Sequence, residues 1–181
     1  MLDARALKAR YQSKWRLAAR RELAVLNLLN ILLPDGYVAI AAGLGTGTTD
    51  LIDRSYGSPL DAFDLVVLRG MDVVAYVDVT GFWDERQARS VNGGKELCVG
   101  AWKLWKARKF GVVDRAWIVH VADKRVSLRW LPLAALDAEK HVARLVPGER
   151  PYYCLPQQKW RDTGSFLKWL LAIKVANSGQ L

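Results

Sequence analysis

The chain has 181 residues, of which 51% are apolar and eight are tryptophan, so it can build a sizeable core and global disorder is excluded. Lys and Arg number 27 against 18 Asp and Glu, and the net charge of +9 favours a polyanionic partner such as nucleic acid. No apolar run approaches the ~18 residues of a membrane span, and the basic N-terminus lacks the apolar centre of a secretory signal. We therefore expect a cytoplasmic protein with no membrane partner.

The cysteine count is low. Cys98 and Cys154 cannot form a four-ligand zinc site, and two thiols do not make a disulfide framework. Few Cys, Met, Asn and Gln residues are typical of a thermophilic protein.

The elements are predicted in chain order from apolar spacing and turn residues. A helix over residues 4–33 is indicated by one face that steps by three or four and carries Tyr11, Trp15, Ala18, Glu22, Val25, Leu29 and Leu32. Strands are predicted at 37–42, 63–69, 73–80, 116–121 and 125–131, helices at 95–110 and 165–175, and irregular chain at 147–156. This order predicts an α/β fold, a mixed β-sheet flanked by helices, in one domain. Within residues 1–181, helix 4–33 is followed by a core at about 37–131 and a C-terminal extension at about 132–181.

Three acidic residues interrupt apolar patterns. Asp64 and Asp78 each lie in an apolar strand, where an unpaired charge would cost several kcal/mol, and adjacent strands can bring both to one cation. Glu22 lies in the apolar stripe of the first helix. The three carboxylates indicate a common acidic site, although exposure at a sheet edge or pairing with arginines would also accommodate them.

These residues resemble the PD-(D/E)XK nuclease superfamily, in particular its archaeal Holliday-junction-resolvase-like members, over roughly residues 15–130. The resemblance rests on Glu22 in the first helix, Asp64 at a strand start and Asp78 in the following strand. It implies a restriction-endonuclease-like fold, Mg²⁺ (or Mn²⁺) bound by Asp64 and Asp78, hydrolysis of phosphodiester bonds in duplex or branched DNA, and a homodimer.

The sequence departs from the family pattern at two positions. Phe63 replaces a proline, which is a mild change, and Thr80 stands where the family has a lysine that offsets charge in the transition state. Because some members carry that lysine on the following helix, Lys95 is the predicted substitute, and Thr80 would align the nucleophile. Without a substitute, the chain would be a non-catalytic nucleic-acid-binding protein on the same fold.

A glycine-rich segment follows the first strand. Gly45, Thr46, Gly47 and Thr48 lie in a stretch over 43–49 that could bring backbone close to phosphate. It looks like the phosphate loop of ribose-5-phosphate isomerases, which keeps a sugar-phosphate isomerase as an alternative function. A plain turn accounts for the same composition, and in a nuclease the loop would contact the DNA backbone.

Basic side chains cluster on the two predicted helices. The predicted phosphate contacts are Arg16, Arg20, Lys103, Lys106 and Lys109. Trp102 and Trp105 are interpreted as core packing rather than a base-stacking surface. The leading prediction is a metal-dependent DNA endonuclease, and a structural or assembly protein is a further alternative.

Overall fold

The computed structural model describes the backbone of residues 4–43, 57–82, 96–124, 127–138 and 151–173, and the side chains of these ranges from residue 16 onward except that of Phe82. Helix α1 spans Ala4–Leu32, as its apolar spacing predicts. A turn follows it, in which Gly36 takes a positive φ of 84° that favours glycine. Leu32, expected on the packing face, is 42% exposed.

The remaining elements follow in chain order. They are β1 (Tyr37–Ala41), α2 (Pro59–Ala62), β2 (Leu65–Arg69), β3 (Asp72–Phe82), β4 (Glu96–Gly100), α3 (Ala101–Lys109), β5 (Ala116–Ala122), β6 (Ser127–Pro132), α4 (Leu133–Ala138), β7 (Tyr152–Pro156) and α5 (Thr163–Ala172). No helix in these described ranges is long and apolar enough to cross a membrane.

Five strands form the main sheet in the order β1-β2-β3-β5-β6. Strands β3 and β5 pair in parallel, and the other neighbours pair antiparallel. This arrangement confirms the predicted mixed sheet flanked by helices.

The two faces of the sheet carry separate cores because side chains alternate along each strand. Val77 and Trp117 point to the face covered by α1 and α5, where they pack with a cluster that includes Leu29 and Phe166. Tyr76 and Ile118 point to the opposite face and pack with a cluster drawn from α3, α4, β4 and β7. Residues beyond Leu131 therefore complete both cores.

Two predictions about the second half of the chain are wrong. Residues 96–100 of the helix predicted over 95–110 form β4, and residues 152–156, predicted irregular, form β7. The two strands pair antiparallel as a separate sheet with Cys98 opposite Cys154, and the two cysteines form a disulfide. A pairing between segments 56 residues apart leaves no local signal. Helix α3 begins only after Gly100.

Candidate active site

Asp64 lies immediately before β2, next to Asp78 in β3. The antiparallel register pairs Leu65 with Val77, so one further step places Asp64 opposite Asp78. The backbone N–H of Val79 donates to Oδ2 of Asp64 over 2.7 Å. Asp78 shares a sheet face with Tyr76, and its side chain is only 1% exposed. The sequence interpretation that these strands bring the two carboxylates together is thus met in the structure.

The two carboxyl groups have opposite electrostatic environments. Burial, followed by the charge of Asp78, raises the pKa of Asp64 from 3.8 to about 7. Burial would also raise the pKa of Asp78, but Lys103 and Lys106 outweigh it and hold that pKa below its usual value. Asp78 is consequently the ionised member of the pair at neutral pH, while Asp64 exchanges its proton near pH 7.

Two lysines of α3 supply the positive charge at the site. The Nζ atom of Lys106 lies 2.8 Å from Oδ1 of Asp78, donates to the carbonyl oxygen of Ala62 and lies 4.6 Å from the centre of the Phe63 ring. The Nζ atom of Lys103 lies 3.4 Å from the same carboxylate oxygen and 3.5 Å from the carbonyl oxygen of Val79. Both side chains are largely buried, at 12% and 11% exposed for Lys103 and Lys106 respectively.

Lys103 and Lys106 are among the predicted phosphate contacts, and neither is predicted to lie in the acidic site. Their spacing of three residues puts them on one side of α3, and Leu104 and Ala107 on the adjoining side are buried in the core. That pattern directs the lysines toward the sheet. The sequence predicts this orientation of the lysines only once the helix is known to begin after Gly100.

Glu22 lies half-buried on α1, and its negative charge contributes to the raised pKa of Asp64. It lines a cavity of about 350 Å³ together with Arg20, Leu65 and other residues of α1 and β1. Within the described residues no group of three His, Cys, Asp or Glu side chains is placed to hold a metal ion.

The other predicted site residues are distributed as follows. Thr80 is half-buried in β3, two residues beyond Asp78 on the same face, and pairs with His120 of β5. Arg16 and Arg20 are exposed on α1, and Lys109 is exposed on α3. The predicted lysine Lys95 and the loop residues Gly45, Thr46, Gly47 and Thr48 lie outside the described residues.

The carboxylate pair has the chemistry that a hard divalent cation requires. Oδ2 of Asp78 is buried and makes no hydrogen bond to the described part of the chain, although Oδ1 is paired with lysines. Mg²⁺ binds through one or two protein carboxylates and completes its shell with water and substrate phosphate oxygens. Asp64 and Asp78 can provide those two carboxylates, so the residues present fit such an ion.

Comparisons with known proteins bear on the family and the fold of this chain. The family described as Viral/Archaeal nuclease matches residues 25–166. The solved structure of D212, a nuclease from a fusellovirus, is similar over 86% of this chain and 88% of its own, with 17% identity and a TM-score of 0.54. Hjc, a Holliday junction resolvase from Archaeoglobus fulgidus, is similar over 83% of this chain and 95% of its own, with 14% identity and a TM-score of 0.47.

No curated protein is similar enough in sequence to match the chain. The likeness to the D212 structure supports the fold, and the family match covers more than half of the residues. The predicted resemblance to the PD-(D/E)XK nucleases is confirmed for the family and the fold. The chain belongs to the Viral/Archaeal nuclease family.

Proposed function

We propose that the protein is a metal-dependent endonuclease that hydrolyses phosphodiester bonds of duplex or branched DNA at Asp64 and Asp78. The observation that carries the proposal is the opposed carboxylate pair, faced by two buried lysines, in a chain of a nuclease family. The fold relatives, a viral nuclease and a Holliday junction resolvase by their names, support DNA as the substrate class. The homodimer remains a prediction from the family resemblance.

The residues of the site have separate tasks in this proposal. Asp64 and Asp78 would hold a divalent cation, which supplies positive charge to the scissile phosphate and a nucleophile at neutral pH. Lys103 supplies the charge that the family places at position 80, because its ammonium group reaches the carbonyl oxygen of Val79 next to that position. Thr80 aligns the nucleophile, and Glu22 tunes Asp64 by its charge.

Substitution of Asp78 tests the proposal directly. Asp78→Asn should abolish Mg²⁺- or Mn²⁺-dependent cleavage of plasmid and four-way-junction DNA, and DNA binding should be kept or improved because a negative charge is removed. Asp61→Asn is the matched control, since Asp61 caps the short helix α2 and lies outside the lysine pair. Cleavage by Asp78→Asn at the wild-type rate would overturn the proposal.

One observation favours a second function, a nucleic-acid-binding protein without cleavage. Lys103 and Lys106 both contact the carboxylate oxygen of Asp78, so this carboxylate is already neutralised by the protein. A thermal-unfolding titration separates the two functions. The nuclease proposal expects Mn²⁺ to raise the melting temperature of the wild type but not that of Asp64→Asn/Asp78→Asn, whereas the binding-protein alternative expects no effect on either.

A further inference from the structure

One tryptophan of helix α3, Trp105, is exposed to solvent. Among the six tryptophans whose side chains the structure describes, Trp105 alone is exposed, at 47%. Trp102, the other member of the pair predicted to pack in the core, is half-buried, and its ring lies 5.6 Å from that of Tyr152, edge to face. The indole of Trp102 also fills the space beside Gly100, where an added Cβ would lie 2.1 Å from the ring. Trp105 instead presents much of its indole to solvent.

One exposed lysine of α3 lies beside Trp105. Helix α3 carries four cations, Lys103, Lys106, Arg108 and Lys109, and no acidic residue. Lys103 and Lys106 face Asp78, and Arg108 pairs with Asp137. Lys109 lies four residues beyond Trp105 and is exposed on the same side of the helix. Lys106 follows Trp105 directly and reaches Asp78, but successive residues of a helix point about 100° apart, so the indole projects away from the lysine pair of the site.

We propose that Trp105 stacks on an unpaired base of the DNA substrate while Lys109 contacts the adjacent phosphate. An exposed indole beside a cation matches both parts of a nucleotide, because a base offers an apolar π-face and its phosphate a negative charge. A base inside an intact duplex presents no such face. We therefore expect tighter binding of a substrate with at least one unpaired base, such as a flap, bulge or branch point. This inference rests on the proposed nuclease function.

The test measures DNA affinity in EDTA, so that it does not depend on cleavage. Two duplexes are compared, one with a single bulged thymidine and one with an abasic residue at the bulge, which keeps the phosphate and removes the base. Trp105→Ala should weaken binding to the base-bearing bulge by about 5- to 150-fold, the range for one lost stack. It should leave binding to the abasic bulge unchanged, and Trp105→Phe should retain most of the affinity for the base.

Leu171→Ala is the control for loss of an exposed apolar side chain, since Leu171 is 57% exposed on α5 beyond the other face of the sheet. It should alter neither affinity. An equal loss on both bulges, or no loss on either, would overturn the stacking inference while leaving the nuclease proposal standing. Failure of the wild type to bind any of these duplexes would overturn both. If the Trp105→Ala protein fails to fold, two other measurements decide. Trp105→Phe should keep most of the affinity for the base-bearing bulge, and the wild type must bind the base-bearing bulge more tightly than the abasic one.

Discussion

Lys103 and Lys106 both face Asp78, but their contacts differ in number and length. Lys106 contacts the carboxylate at 2.8 Å, the carbonyl oxygen of Ala62 and the ring of Phe63, so its ammonium group is enclosed on several sides. Burial lowers the pKa of Lys106, an effect that Asp78 opposes. The longer contacts of Lys103, at 3.4 and 3.5 Å, are more easily exchanged for a phosphate oxygen. We therefore expect Lys106 to position Asp78 and Lys103 to be the lysine that moves to a substrate phosphate.

This difference predicts the effect of removing each lysine. Lys103→Met should lower the cleavage rate on the order of 10²-fold with little loss of stability, because Asp78 keeps its closer partner Lys106. Lys106→Met should also lower the free energy of unfolding, but by less than about 3–5 kcal/mol, the cost of fully breaking a buried ion pair, because Lys103 still faces Asp78 at 3.4 Å. Cleavage assays and urea denaturation measure the two effects. Lys95→Ala tests which lysine supplies the catalytic charge. A large loss of cleavage in Lys95→Ala, together with an active Lys103→Met, would assign that charge to Lys95.

The raised pKa of Asp64 makes stability depend on pH. A carboxyl whose pKa is raised from 3.8 to about 7 contributes its full stabilisation below about pH 4, and this is lost as the pH rises through 7. Asp64→Asn lacks this titration but keeps an acceptor for the N–H of Val79. The unfolding free energy of wild type minus that of Asp64→Asn should therefore fall between pH 4 and 7, by at most about 1.4 kcal/mol per pH unit. Denaturation in EDTA at several pH values measures it, and a pH-independent difference would contradict the assignment.

At the level of whole elements, those with a local sequence signal were predicted more accurately than those that depend on a partner distant in sequence. Helix α1 and strands β2, β3, β5 and β6 have apolar repeats and turn residues of their own, so their positions were predictable to within a few residues. Strand β4 has no such signal because its residues, 96–100, run directly into α3 and its partner lies 56 residues away. The same reason separates the predicted from the unpredicted site residues. Asp64 and Asp78 were predictable because each interrupts an apolar strand, whereas the place of Lys103 and Lys106 in the site depends on where α3 begins.

The disulfide gives the β4–β7 pair a measurable role. Closing a loop between positions 56 residues apart stabilises a fold by up to about 4 kcal/mol in the chain-entropy account. A dithiol reductant should consequently lower the melting temperature of the wild type by roughly 10 °C. The variant Cys98→Ser/Cys154→Ser should melt at the lower temperature with or without the reductant. If the oxidised wild type shows two titratable thiols after denaturation, the disulfide is absent from the protein.

At the scale of the whole molecule, the excess of nine positive charges is expected to govern DNA affinity. Neutralising six phosphates would give a slope of roughly −5 for log affinity against log salt concentration, because each contact releases condensed counterions. Arg16 and Arg20 are exposed on α1, and Arg20 lines the cavity next to Glu22. Arg16→Gln/Arg20→Gln should therefore reduce the slope by about 2, one for each lost phosphate contact, whereas Lys168→Gln on α5 should leave it unchanged. Fluorescence-anisotropy titrations in EDTA across salt concentrations measure the slope, and a flat response in the wild type would remove DNA as the partner.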